Sequence, residues 1–197
     1  MLSDAFIDWW FSPWRYAAGG PALPALAADP LAERDQYGDW CAAAGLRADM
    51  PGDFDPGWQV AAVDTAHLLR RAAALFGGLV AARAQDQPVL GHLSIADRRW
   101  CMSIALTQPL KGCGDVPFHP GDPVEVRGLT ELARRVEHGF PGIWARLRLS
   151  LPEPLADRVD TLLPAAPAFH AATAASELRV QRCWQLCHAR AASHGAA

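Results

Sequence analysis

The chain has 197 residues, of which 51% are hydrophobic and 20% are charged, and its formal net charge at pH 7 is −3. These fractions are typical of a folded globular protein and argue against wholesale disorder. The sequence pI is near 6.1, so the chain offers no broad basic field for a phosphate backbone, and we expect no binding to nucleic acid.

The sequence favours a soluble protein over a secreted or membrane-embedded one. Asp4 and Asp8 stand where a signal peptide carries positive charge. No segment has the roughly 20 continuous apolar residues that a membrane-spanning helix needs. The five cysteines are an odd number and are widely spread, which favours reduced thiols over a disulfide framework. We therefore predict a cytoplasmic protein without direct membrane insertion, and one domain over residues 1–197.

The N-terminus concentrates aromatic residues. The stretch FIDWWFSPWRY, residues 6–16, places six aromatic side chains in eleven positions. A helix over residues 4–11 brings Phe6 and Trp10 to one face, because residues four apart are neighbours on a helix. We expect Phe6, Trp10 and Phe11 to pack inward.

Other residues of the same stretch are candidates for a partner surface. A buried indole N–H needs a hydrogen-bond acceptor, so burying every tryptophan here is costly. Tryptophan and arginine are also enriched in binding hot spots. We therefore expect Trp9, Trp14 and Arg15 to contact a partner protein. The alternative, in which all of these aromatic side chains anchor the N-terminus to the core, agrees with the sequence equally well.

Helical spacing of apolar residues continues through most of the chain. Asp55-Pro56 is typical of an N-cap followed by the first helical position, and predicts a long helix that ends near Ala84. Ser94 begins another helix, in which the side chains expected to point inward are Trp100, Ile104 and Leu106. Further helices are expected over residues 31–45, 130–138, 153–163 and 168–192.

The long central helix has an apolar side and a polar side. The polar side is a second candidate for partner binding, although an ordinary solvated face is the simpler interpretation; its residues are Asp64, His67, Arg70 and Arg71. Gly77 and Gly78 lie inside the helix, where each costs about 1 kcal/mol relative to alanine. We expect them to serve packing within the chain; the alternative is the close approach of another helix, or a kink, that is used in docking a partner.

Two segments leave their structure open. In ARLRLSL, residues 145–151, leucines alternate with polar residues, which is a strand pattern. No comparable partner strand is evident, so we interpret the segment as helix beginning near Pro141. The longest irregular segment covers residues 109–123 and is either functional or mobile. The chain as a whole predicts an all-α fold: a single compact domain of about seven to eight helices with short irregular connections.

No catalytic, cofactor or metal site emerges from the motifs. Cys183 and Cys187 lie one helical turn apart, but on an apolar face where a buried cysteine behaves as a small hydrophobe. Cys113 and His119 share one loop, which is weak support for a thiol enzyme, since such pairs meet in space rather than in sequence. We expect a non-enzymatic protein without a cofactor. The alternative is a thiol- or zinc-dependent protein that uses Cys113, Cys183 and Cys187.

Three segments resemble the SctK (YscK) family of type III secretion systems. The first is FSPWRYAAGGPALP with Phe6 before it, the second is LLRRAAALFGGLVAARA, and the third is FPGIWARLRLSLP. In the third segment the similarity depends on the following residues: Trp144, Arg146, Leu147, Leu149, Leu151 and Pro152. The resemblance is in patches, since the three segments together comprise 44 of the 197 residues.

The resemblance implies a function. Members of this family are helical, non-enzymatic accessory proteins of the sorting platform beneath the injectisome. They connect the cytoplasmic domain of the inner-membrane ring protein SctD to the pod protein SctQ. The resemblance therefore implies an adaptor that is cytoplasmic, peripheral to the inner membrane, and equipped with two contact surfaces.

Overall fold

The computed structural model describes residues 1–19, 21, 29–108, 110, 112–114, 116–164 and 173–193. The predicted all-α class is confirmed, because the described residues form helices and no strand. The α-helices of this part are α1 (Asp4–Phe11), α2 (Pro30–Ala43), α3 (Ala66–Ala84), α4 (Gln87–Gly91), α5 (Ile95–Thr107), α6 (Val124–Gly139), α7 (Ile143–Leu147), α8 (Glu153–Leu162) and α9 (Ala174–Ser193). Short 3₁₀ segments cover Pro13–Arg15, Pro56–Ala61 and Arg148–Ser150.

Helix α3 lies at the centre of the fold and contacts α5, α6 and α9. Its second half is buried on every side, since every residue from Leu75 to Ala81 is buried. This part of the helix gains its stability from tertiary packing, since it has no solvent-facing side.

Glycines set the distance between α3 and α6. A Cβ atom on Gly77 would lie 2.3 Å from the carbonyl oxygen of Val124, and one on Gly128 would lie 1.9 Å from that of Ala73. Both distances are far below van der Waals contact, so the two backbones touch directly. At Gly78, the residue after Gly77, an added Cβ atom would meet the side chains of Leu93 and Cys101. The predicted role of the glycine pair in packing within the chain is confirmed.

The long helix predicted from Asp55 is wrong at its N-terminal end. Asp55 caps only the 3₁₀ segment, while Thr65 caps α3 by accepting a hydrogen bond from the backbone N–H of Leu68. The chain between them is broken by extended backbone at Ala62. Asp64 therefore precedes α3 and does not belong to its polar side.

Two tryptophans use the carbonyl groups at this break. The indole N–H of Trp184 donates to the carbonyl oxygen of Val60 at 3.0 Å, and that of Trp9 donates to Val63 at 3.2 Å. In a continuous helix both carbonyls would accept from backbone N–H groups instead. The interruption thus provides the acceptors that two buried indoles require.

The remaining predicted helices are present, with shifted ends. Helix α6 begins at Val124, six residues before the predicted start. The segment that alternates in sequence is helical, as α7 and the 3₁₀ turn after it, so the helical interpretation is confirmed. In α5, Trp100 and Ile104 are partly buried as expected, but Leu106 is exposed, which corrects its predicted inward orientation. The start of the predicted helix over 168–192 lies outside the described residues.

The described part of the loop over 109–123 is attached to α6. The carboxylate of Glu131 accepts from the backbone N–H of Gly114 at 2.7 Å, and the guanidinium of Arg135 donates to the carbonyl oxygen of Gly112 at 3.0 Å.

Among the described residues, no helix combines the length and the apolar character needed to cross a membrane.

Candidate protein-binding site

Trp9 is buried, contrary to its predicted place on a partner surface. Only 5% of the residue is exposed, and its ring stacks on that of Tyr16 with a centroid distance of 5.0 Å. The carbonyl oxygen of Val63 satisfies its indole N–H. The sequence did not reveal this acceptor, because it is created by the break before α3. Trp9 therefore anchors α1 to the core.

Phe11 is exposed, contrary to its predicted inward orientation. It is the last residue of α1, and 40% of its surface is exposed. Its ring lies 5.4 Å from that of Tyr37 in α2, and Trp14 lies 6.3 Å from the same tyrosine. Trp14 also meets Trp40 edge-on at 5.9 Å and stays partly exposed, as expected. Phe11, Trp14 and Tyr37 therefore form one aromatic surface where α1 and α2 meet.

These three side chains line an open groove of about 960 Å³, which we call the aromatic groove. Four acidic residues line the groove and form what we call its rim: Glu33, Asp35, Asp39 and Asp49. Arg34 is the one basic residue among those that line it in the described part of the chain. Within that part, none of the four carboxylates forms an ion pair. The groove thus combines accessible aromatic rings with an unneutralised negative rim.

Arg146 supports the floor of the aromatic groove from within the core. Its guanidinium is fully buried and donates to the hydroxyl of Tyr37 at 3.1 Å and to the carbonyl oxygen of Arg47 at 2.9 Å. It also donates to the carbonyl oxygens of Trp10 and Gly142, and lies 3.5 Å from the centre of a Trp10 ring. No carboxylate in the described residues pairs with it. Arg146 is one of the residues on which the family resemblance depends.

Tyr37 keeps its proton at neutral pH. Burial raises the pKa of its phenol to about 12, against the opposing effect of the Arg146 charge. The hydroxyl can therefore donate to the carbonyl oxygen of Ala48 at 2.8 Å while it accepts from Arg146. These two bonds fix the ring that forms the centre of the aromatic groove.

The polar side of α3 is largely engaged by the chain itself. Arg70 pairs with Glu125 of α6 at 3.0 Å, and Arg71 pairs with Asp97 of α5 at 2.8 Å. His67 is exposed, as is Asp64 before the helix. Arg15 is exposed at the end of its 3₁₀ segment and does not line the aromatic groove. Of the predicted site residues, only Trp14 belongs to the aromatic groove, whereas His67, Arg70 and Arg71 line a separate open pocket beside Glu125.

Asp97 joins three helices, α3, α5 and α9. Its carboxylate accepts from Arg71 of α3, from Arg190 of α9 at 3.1 Å and from the hydroxyl of Ser94 at 2.8 Å. Burial alone would raise the pKa of Asp97, but the Ser94 hydrogen bond and the Arg71 charge outweigh it, and the pKa is lowered. The ionised carboxylate is thus the form that the fold stabilises.

The substitution Asp97→Asn is expected to lower the free energy of unfolding at pH 7 by about 1–3 kcal/mol, because charge-assisted hydrogen bonds are lost. Because the pKa is lower in the folded state, the wild-type carboxylate stabilises the fold at pH values above its unfolded-state pKa of about 3.9. This stabilisation is lost as the pH falls through the folded-state pKa. Urea unfolding at pH 7 and near pH 3 measures this. The wild type and the variant should differ less at the lower pH; an undiminished difference would contradict the assignment.

The structure does not favour thiol chemistry at Cys113, Cys183 and Cys187, the residues of the alternative function. Burial raises the pKa of Cys113 to about 12 and of Cys183 to about 11, and the pKa of Cys187 is raised as well. A nucleophilic or metal-binding cysteine acts as a thiolate, which these environments disfavour. In the described part of the chain, no three His, Cys, Asp or Glu side chains are grouped as a metal site requires.

Sequence reasoning missed Tyr37 and the acidic residues of α2. A signal for them was available, because this predicted helix carries charges on all sides and places a tyrosine among them. Such a helix shows no apolar arc, so the periodicity does not tell which side faces the protein. Comparison with protein-family models, with curated proteins and with solved structures finds no match to this chain.

Proposed function

We propose that this protein is a non-enzymatic adaptor of a type III secretion sorting platform, which connects the SctD cytoplasmic domain to the pod protein SctQ. The family comes from the resemblance of three sequence segments. The observation that carries protein binding is the aromatic groove, with Phe11, Trp14 and Tyr37 accessible inside an acidic rim.

The chemistry of the groove suits a protein partner with basic and apolar side chains. Aromatic rings offer large contact area at little entropic cost and can hold an arginine or lysine over their faces. The rim charges attract such a partner and discourage acidic ones. Small-molecule sites are more enclosed than this open groove and are lined mainly by apolar groups.

The proposed function predicts a stable complex when the chain is co-expressed with an SctQ-type pod protein and, separately, with an SctD cytoplasmic domain. Size-exclusion chromatography with light scattering should show a co-eluting complex of defined mass. The double variant Phe11→Ala/Trp14→Ala should lose one of the two complexes, because hot-spot truncations often cost about 2 kcal/mol or more each. Raised salt should weaken the same complex, since the rim charges are exposed.

Leu178→Ala provides the matched control. Leu178 is a large apolar residue that is 64% exposed on α9, away from the residues that line the aromatic groove. It should leave both complexes intact. Separate elution of the folded wild-type chain from both candidate partners would refute the proposed function. Loss of binding together with loss of thermal stability in the double variant would instead assign Phe11 and Trp14 to the fold.

A further inference from the structure

Helix α5 carries an apolar stripe on its outer face. Ile95, Met102 and Leu106 are 63%, 46% and 86% exposed. They are spaced by seven and four residues, so they lie on one side of the helix. The opposite side packs into the fold through Cys101, which is fully buried, and Ile104. The helix therefore presents apolar side chains in two directions, although the described residues cover only the inner set.

A groove runs beside this stripe. It has a volume of about 370 Å³ and lies between α5, the last turn of α3 and the short helix α4. Its apolar walls include Ala82, Leu90 and Ala105, together with Met102 and Leu106. A concave apolar surface next to exposed leucine and methionine is the shape that receives one face of an amphipathic helix.

The charges around the stripe all have the same sign. Arg98 and Arg99 lie within one turn of both Ile95 and Met102, and Arg83 lines the groove from α3. In the described part of the chain, none of these three arginines forms an ion pair. The described residues that line the groove include no aspartate or glutamate.

The nearest acidic residues in sequence are already engaged. Asp97 is buried and accepts from Arg71 and Arg190, and Asp86 pairs with Arg127 at 2.9 Å. The stripe is therefore flanked by positive charge that no carboxylate among the described residues neutralises. A partner that covers the stripe must bring apolar side chains and negative charge together.

We propose that the outer face of α5 docks an amphipathic helix of a partner protein, with apolar anchors that enter the α5 groove and acidic side chains that meet Arg83, Arg98 and Arg99. This inference rests on the proposed function, because it supplies the second of the two contacts that an adaptor needs. The aromatic groove is acidic and this surface is basic, so the two surfaces select partners of opposite charge.

Two other occupants fit the surface less well. A second copy placed symmetrically would bring its own arginines against the same three arginines, which repel each other. An anionic membrane meets a flat or convex face best, whereas this surface is concave, and three basic residues contribute little anchoring. Charge and shape together favour an acidic helix.

The test uses a labelled synthetic peptide as the probe: an amphipathic helix with leucines on one face and glutamates on the other. A matched peptide carries lysine in place of every glutamate. Fluorescence anisotropy with the full chain should show at least about ten-fold tighter binding of the glutamate peptide. Met102→Ser/Leu106→Ser should weaken that binding at least about ten-fold, because two apolar anchors are lost.

Two further variants complete the design. Arg98→Glu/Arg99→Glu should reverse the preference between the two peptides, and the control Leu178→Ser should leave binding unchanged. All of these side chains are at least partly exposed, so the thermal midpoint should stay close to that of the wild type. Equal affinity for both peptides, or equal loss in the control, would overturn the inference.

A second copy of the chain and a membrane surface, the two other occupants, each predict a different experimental result. Concentration-dependent self-association that Leu106→Ser abolishes would assign the face to a second copy. Co-sedimentation with vesicles of phosphatidylglycerol and phosphatidylcholine, also lost on that substitution, would assign it to a membrane. Either result would overturn the inference. The proposed function fails separately: if neither SctQ nor SctD bound while the glutamate peptide did, the α5 surface would stand and the secretion role would fall.

Discussion

Gly128→Ala is expected to destabilise the protein by about 3 kcal/mol or more, which is at the upper end of the range for an overpacked core. The added methyl group would lie 1.9 Å from the carbonyl oxygen of Ala73, which belongs to the backbone of α3. A flexible side chain could move aside, but a buried helix backbone moves only if α3 and α6 separate. That separation would disturb the packing of the central helix on its neighbours. Urea unfolding followed by circular dichroism measures the loss.

Gly38→Ala is the matched control for Gly128→Ala. Gly38 also lies inside a helix, α2, but a Cβ atom there meets nothing within 4 Å. Alanine should stabilise α2 by up to about 1 kcal/mol, because glycine is the poorer helix former. If both variants changed stability by similar amounts, the close approach of α3 and α6 would not be the reason for glycine at position 128.

Arg146→Met is expected to lower the free energy of unfolding by about 3–5 kcal/mol, because it leaves several acceptors without a donor and each buried unsatisfied group costs about 1–3 kcal/mol. Methionine fills much of the volume but donates no hydrogen bond. The buried carbonyl oxygen of Trp10 and the partly buried ones of Gly142 and Arg47 would then lose a donor. The contact of the guanidinium with the Trp10 ring would be lost as well. Thermal unfolding and tryptophan fluorescence report on both effects.

Arg148→Met tests whether the effect depends on burial. Arg148 lies two residues further along the chain, is exposed, and pairs with Asp160 at 3.1 Å. A surface ion pair of this kind contributes about 0–1 kcal/mol, so the control should remain close to the wild type. Arg146→Lys should also be destabilising, because an ammonium cannot serve four acceptors in four directions. A fully stable Arg146→Lys protein would show that charge alone is needed at this position.

Much of the helical fold could be predicted because its signals are local. Ser3, Ser94 and Asp29 accept hydrogen bonds from the first turns of α1, α5 and α2, as N-cap residues do. The face of α9 that carries Cys183, Trp184 and Cys187 is buried because apolar residues repeat at helical spacing. These features need no knowledge of the rest of the chain.

The errors concern choices that distant residues decide. Asp55 and Thr65 are both good N-caps, but α3 begins only after Thr65, and indoles from α1 and α9 bind the carbonyl groups of the segment before it. Leu106 is an exception, because a position two residues after Ile104 lies on the opposite side of a helix, so its spacing already indicates the exposed side on which the structure has it. Trp9 and Phe11 lie on a helix of eight residues, which is too short for periodicity to assign a buried side.

The candidate binding surfaces were harder to predict than the fold. The aromatic groove needs Phe11, Trp14 and Tyr37 to meet, and the last of these lies more than twenty residues from the others in sequence. The α5 surface depends on which arginines have partners, and Arg70 and Arg71 do while Arg98 and Arg99 do not among the described residues. Composition gives the number of charges but not their pairing.

The interruption before α3 ties the two ends of the chain to one short stretch. Val60 accepts the indole N–H of Trp184 from the last helix, and Val63 accepts that of Trp9 from the first. A local opening of residues 60–63 would therefore release an anchor of each end in the same event. Amide hydrogen exchange should show α1 and α9 opening together as one cooperative unit, although they stand at opposite ends of the sequence.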